Sequence, residues 1–105
     1  MKQDRILSLL GLTTKAGAVV SGEFSTEKAV KSDKAFAVIV ADDASDNTKK
    51  MFTNMCTYYD VPIYFYSDKE SLGHAIGKEK RASLAITNEG FAKSIEKLFG
   101  NMGNE

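Results

Sequence analysis

The residues of this chain that could do chemistry fall into three groups. Lys15, Lys28, Lys31 and Lys34 cluster in the first third, Lys78, Lys80 and Arg81 cluster near residue 80, and Asp42, Asp43 and Asp46 sit between them. The basic groups suit phosphates. The aspartates follow an apolar run, the place where metal and phosphate-transfer sites form in α/β proteins, yet a solvated turn leading into a capped helix explains them with fewer assumptions. A single cysteine, Cys56, can make neither an internal disulfide nor a structural zinc site, and its place on an apolar helical stripe reads as a buried, inert thiol. The single histidine, His74, has no cysteine or second histidine to pair with. No convergent catalytic set emerges, so no enzyme, metal or cofactor is expected.

Composition sets the frame for these groups. The 105 residues are 43% hydrophobic and 27% charged with one proline, which is ordinary for one compact domain with a real core. That domain is expected over residues 1–100, with 101–105 as a frayed tail. The longest apolar run, Ala35 to Ala41, falls far short of the roughly 20 residues a membrane helix needs, and the first four residues lack the apolar region of a secretory signal. A soluble protein of the reducing cytoplasm is the expectation. The formal net charge is zero, which removes the global basicity of many nucleic-acid binders and makes any RNA or DNA site a local one.

The elements that must position these residues follow from hydrophobic period. Ile6, Leu9, Leu10 and Thr13 recur at helical spacing and Gly17 follows them, giving a helix over about residues 3–16. Ala18 to Ser21 is a short extended piece. Ser21 or Gly22 then caps a second helix whose apolar positions include Phe24, Ala29 and Val30. "AFAVIVA" is a central strand covered on both faces, with Val38 and Val40 on one side and Ile39 on the other. Ser45 or Asp46 caps the next helix, which carries Met51, Phe52, Met55, Cys56 and Tyr59 on one stripe. "VPIYFY" is a strand with Pro62 at its start, and Ser67 with Glu70 has capping-box spacing before a short helix ending near Gly77. "ASLAIT" is the last strand, followed by a helix from Asn88 with Phe91, Ile95, Leu98 and Phe99 facing inward. Alternating strands and helices imply an α/β/α sandwich around an at least partly parallel sheet.

Four strings in order, "LLGLTTKAGAVVSGE", "VIVADDASDNTKK", "YYDVPIYF" and "LGHAIGKE", resemble the small bacterial branch of the ribosomal protein family that binds RNA kink-turns, over nearly the whole chain. The resemblance implies a three-layer α/β/α sandwich with a four-stranded mixed sheet, and a non-catalytic protein that recognises a sharply bent, structured RNA with tandem sheared G·A pairs. It also implies where: the N-terminal end of the second helix and a loop before the last strand. A helix N-terminus offers unpaired amides and partial positive charge, flanking lysines add salt-dependent attraction, and bent RNA opens a groove that regular duplex keeps closed.

Carried over by residue, Gly22 matches the family's glycine, Lys28 its lysine and Ala29 its small neighbour. The asparagine and glutamate that read guanine edges in the family fall at Phe24 and Ser25 here. Phe24 either stacks on RNA or folds under the helix, Ser25 keeps one hydroxyl, and Glu23 either favours the helix dipole or supplies the missing carboxylate. In the loop, Gly77, Lys78, Lys80 and Arg81 form a charged stretch where many relatives have apolar residues; its cations can clamp phosphates and Arg81 can stack. Lys31, one turn beyond Lys28, and Lys15 complete the candidate RNA contacts, and His74 could add a stacking contact. A ribosome- or translation-associated monomer is expected. The alternative is a protein-interaction module on the same scaffold, for which the neutral charge and the absent asparagine and glutamate would speak.

Overall fold

The structure, a computed structural model, describes residues 4–102. Helices and strands alternate as α1 (Arg5–Lys15), β1 (Val19–Ser21), α2 (Glu23–Lys31), β2 (Ala37–Val40), α3 (Asp46–Tyr59), β3 (Ile63–Phe65), α4 (Lys69–Ala75), β4 (Ser83–Ile86) and α5 (Glu89–Met102). The sheet has the order β1-β4-β2-β3. β2 and β3 run parallel, joined through α3, while β4 is antiparallel to both β1 and β2. The four-stranded mixed sheet is therefore as expected.

The unbroken apolar character of β2 follows from its neighbours. Ala37, Ile39 and Ala41 enter one core with Ile6, Leu10, Leu72, Leu84 and Ile95. Val38 and Val40 enter the other with Val30, Phe52, Met55, Cys56 and Ala85. One face of the sheet thus carries α1, α4 and α5, the other α2 and α3, which makes three layers. Full burial of each large apolar side chain contributes about 1.5–3 kcal/mol relative to exposure, so β2 binds both helical layers to the sheet.

Helix starts show where local chemistry was read well and where it was not. Ser45 caps α3 by accepting from the Thr48 amide, and Asp4 caps α1 by accepting from Leu7, so α1 begins two residues later than its period suggested. α4 departs from the expected capping box. Its cap is Asp68, whose carboxylate accepts from the Ser71 amide, while Ser67 adopts a left-handed φ of 62° and its carbonyl accepts from Asp42. The carboxylate outcompetes the hydroxyl because it is the stronger acceptor at the same spacing of three from a free amide. α5 continues through Met102, two residues into the expected tail, and residues 103–105 lie outside the described residues. Phe99 stacks on Tyr64 at 4.2 Å and meets Tyr66 edge-on, which docks the last turns of α5 on β3.

Backbone bonds gather four connections at one end of the sheet. The Gly22 amide donates to the Ser83 carbonyl at 2.9 Å, Ala41 to Ala82 at 2.9 Å, and Asp42 to Ser67 at 2.8 Å. The start of α2, the turn before α3, the turn before α4 and the loop before β4 are therefore neighbours.

Candidate nucleic-acid interface

The mouth of α2 is built on Gly22, which joins β1 to the helix with φ 91° and ψ 159°, a region essentially closed to residues with a Cβ. A Cβ here would meet no atom within 4 Å, so the requirement is for backbone conformation and not for space. Gly22 also leaves the helix without a side-chain cap, so the first-turn amides of Glu23, Phe24 and Ser25 have no such acceptor. Lys28 and Lys31 stand one and two turns behind them.

Periodicity divides α2 into two faces. Thr26, Ala29 and Val30 are buried, and the Ser83 hydroxyl donates to Thr26 Oγ1 at 3.4 Å, tying the first turn to β4. Phe24, Lys28 and Lys31, spaced at i, i+4 and i+7, occupy the opposite, exposed face. Phe24 is 74% exposed, so the reading that folds it into the core is wrong: Thr26, two residues on and half a helical turn around, takes the inward place. Lys31 pairs with Glu27 at 3.1 Å, whereas Lys28 carries no ion pair among the described residues.

The basic loop docks beside this mouth. Gly77 turns the chain out of α4 with φ 73°, and the Lys78 amide donates to the Gly73 carbonyl at 2.8 Å. Gly73 is a position that sequence reasoning missed: a Cβ there would overlap the Glu79 carbonyl, so only glycine lets the loop fold back on α4. Arg81 is half-buried and held by three bonds. Its amide donates to the Lys69 carbonyl at 2.9 Å, one terminal guanidinium nitrogen donates to the Lys80 carbonyl at 2.9 Å, and Nε donates to Ser21 Oγ at 3.1 Å. Lys78 and Lys80 are exposed. Arg81, and with it the adjacent Lys80, is thereby joined to the α2 mouth of Gly22, Glu23, Phe24 and Ser25, while Gly77 and Lys78 lie at the other end of that loop, against α4. Lys15 stands apart: it ends α1, where the chain turns into the far end of β1 beside Ala18 and Thr87.

Two open grooves flank this surface. One, of about 500 Å³, lies between the α2 mouth and α3 and is lined by Met51 and by the polar Glu23, Ser45, Asn47, Thr48, Lys50 and Asn54. The polar α3 residues were overlooked because its helical period was read only for apolar positions; Asn47, Lys50 and Asn54, at i, i+3 and i+7, carry the polar signal. The other, of about 920 Å³, includes Asp4, Asp43, Asp68, His74 and Lys80. Its aspartates are already engaged: Asp43 accepts from the Lys69 amide, Asp4 from the Tyr66 hydroxyl, and Asp68 from Ser71, whose two hydrogen bonds hold the Asp68 carboxyl below its usual range. Among the described residues no three His, Cys, Asp or Glu side chains are grouped to hold a metal. Cys56 is buried, which pushes its thiol up to about 11. No helix of the described residues is long and apolar enough to cross a membrane.

Comparison with known proteins agrees with this architecture. The chain is 42% identical over 90 residues to the Bacillus subtilis RNA-binding protein YlxQ, covering 86% of this chain and 90% of that protein. It is 34% identical over 96 residues to the Enterococcus faecium protein of the same name, covering 91% and 92%. Among solved structures, a Bacillus halodurans protein of unknown function superposes with a TM-score of 0.88 at 33% identity, covering 91% of this chain and 97% of that one. The Giardia lamblia 15.5kD RNA binding protein shares the fold, with a TM-score of 0.78 at 22% identity over 96% of this chain and 90% of that one. The family likeness read from the four strings is confirmed over residues 4–96, and the chain belongs to the ribosomal protein L7Ae/L30e/S12e/Gadd45 family.

Proposed function

We propose that this protein is a non-catalytic, cytoplasmic, monomeric RNA-binding protein that recognises a kink-turn or similarly bent structured RNA and acts in association with the ribosome or translation. The surface that would do this runs from Gly22 to Ala29 and from Gly77 to Ala82. The observation that supports it most is the join between these two segments, where Arg81 donates to Ser21 and Gly22 donates to Ser83. Uncapped amides and a clamped arginine then lie at one end of the sheet with Lys28 one turn behind, which suits a phosphate backbone that bends sharply. The RNA-binding names of the Bacillus subtilis and Enterococcus faecium relatives point in the same direction.

Titration against a kink-turn stem and a regular duplex of equal length tests the reading. The kink-turn is expected to bind more tightly, with affinity falling as salt rises despite the neutral chain. Lys28→Ala is expected to weaken binding while the thermal midpoint stays near that of the parent. If no structured RNA binds better than the regular duplex, the protein-interaction alternative replaces this function.

A further inference from the structure

We infer that Phe24 is a stacking platform for an unpaired nucleobase, so that the α2 mouth reads an extruded base by its π-face and is tolerant of which base it is. This deepens the RNA-binding reading above and rests on it. Single exposed apolar side chains are ordinary on protein surfaces, so the 74% exposure of Phe24 alone carries nothing. Its setting carries the inference.

The ring is mounted on a rigid base. Gly22 is bonded to Ser83, and Thr26, two residues beyond Phe24, is buried and bonded to the same residue, so the first turn of α2 is held to β4 from both sides. Only the two side-chain torsions of Phe24 remain to be fixed on binding, which keeps the entropy cost of using it low.

The surroundings favour a nucleotide over an apolar protein anchor. The other exposed residues of α2 are Glu23, Lys28 and Lys31, and Arg81 stands across Ser21. An aromatic hot spot in a protein interface sits in a well-packed, desolvated pocket ringed by contacts that exclude water. An exposed aromatic ring beside uncapped helix amides, with Lys28 one turn on, instead matches a base attached to its phosphate, and base–aromatic stacking is sequence-tolerant because every base has a π-face.

Edge readout is correspondingly poor at this mouth. Position 24 has no polar atom, Ser25 has one hydroxyl, and the Glu23 side chain lines the groove toward Asn47 and Asn54 of α3. Hydrogen bonding at these positions therefore discriminates guanine weakly, whereas a flat ring accepts any splayed base.

The test uses three RNAs: a stem with a bulge followed by tandem G·A pairs, the same bulged stem with Watson–Crick pairs in their place, and an unbulged duplex. The bulged stems carry 2-aminopurine in the bulge. The parent is expected to bind both bulged stems more tightly than the unbulged duplex, and the G·A stem most tightly. Phe24→Ala and Phe24→Leu should each weaken both bulged complexes by about tenfold, whereas Phe24→Tyr stays within about twofold of the parent. The 2-aminopurine emission should change on binding the parent and the Tyr variant, and not on binding the Ala or Leu variants. If Phe24→Ala binds like the parent while Lys28→Ala binds more weakly, stacking is refuted and the RNA-binding reading stands. If the parent's affinity for the G·A stem changes by tenfold or more when the bulged base is changed between purine and pyrimidine, base-tolerant stacking is equally refuted. Failure of the parent itself to prefer bulged RNA over duplex removes the underlying function.

Discussion

α2 and α3 begin at the same end of the sheet and treat their N-termini in opposite ways. Ser45 accepts from the Thr48 amide at the start of α3, Asp46 occupies its first turn, and Asp42 and Asp43 lead into it. That mouth is capped by a hydroxyl and approached by three aspartates, with Lys49 and Lys50 following in the helix. α2 starts from a glycine without a side-chain acceptor, with Lys28 behind it and Arg81 alongside. Its first-turn amides have no side-chain acceptor, and Glu23 stands with the cations there. A net charge of zero therefore says little about either mouth, and the groove that Glu23, Asn47 and Asn54 line lies between them. The lesson is that capping decides which helix end is available to an anion, and total charge does not.

The strongest way to break this contrast is to remove the cations of the open end. Lys78→Ala, Lys80→Ala and Arg81→Ala combined should lower affinity for a kink-turn by about 100-fold at low salt and make the dependence of log affinity on log salt shallower by roughly 2–3. Circular dichroism should still report the parent's helix content. Binding as tight as the parent's would mean that the loop is not part of the interface.

Gly22→Ala attacks the open mouth through the backbone. With φ at 91° the alanine is strained whatever the space around it, and a stability loss of about 1–3 kcal/mol is expected in denaturant unfolding. An unchanged midpoint would show that the turn into α2 relaxes freely and that Gly22 does not dictate the mouth's geometry.

Chemistry at the mouth can also be sharpened. Phe24→Asn with Ser25→Glu exchanges the stacking ring for an amide and a carboxylate, so affinity for a bulged stem without G·A pairs should fall by about tenfold, while the preference for a kink-turn with tandem G·A pairs over that stem should rise by about tenfold. Because Phe24 is exposed, the melting temperature of the double variant should stay close to that of the parent. A stable variant without any gain in preference would mean that the mouth does not meet the G·A pairs.

On the capped side, Ser45→Ala should cost about 1 kcal/mol of stability and leave RNA affinity alone. A parallel loss of affinity would extend the interface to α3. Cys56 gives the smallest effect near neutral pH: thiol reagents should label it only as fast as the domain unfolds. Its folded-state value is raised, to about 11 from 9.0, so the neutral thiol is the favoured buried form. That contribution is complete below pH 9, and stability should decline as the pH climbs from there toward 11.

Much of the scaffold was legible because it rests on local rules. Four adjacent apolar residues in β2 announce a strand covered twice, and Ser45 lies where a helix must find an acceptor. Phe24 was harder. As an aromatic residue close to Ala29 and Val30 it reads as one of their apolar set, and only the angular position of Thr26 shows which side of α2 faces the sheet. Ser67 and Asp68 were adjacent candidates for one cap, and spacing alone favoured the wrong one because of Glu70.

The sequence alone determined the alternation of strands and helices, the two-sided burial of β2, the family, and the presence of basic residues near positions 28 and 80. These are set by hydrophobic period, by cap and turn chemistry and by strings of adjacent residues, all of which act over a few positions. Only the tertiary structure decided that the two basic segments meet. Ser21 and Arg81 are 60 residues apart, and their bond exists because β1 and β4 pair antiparallel with Ser21 opposite Leu84. Strand register is a long-range choice made by the whole core, and it alone sets Arg81 beside the open mouth of α2 while leaving Lys15 at the far end of β1.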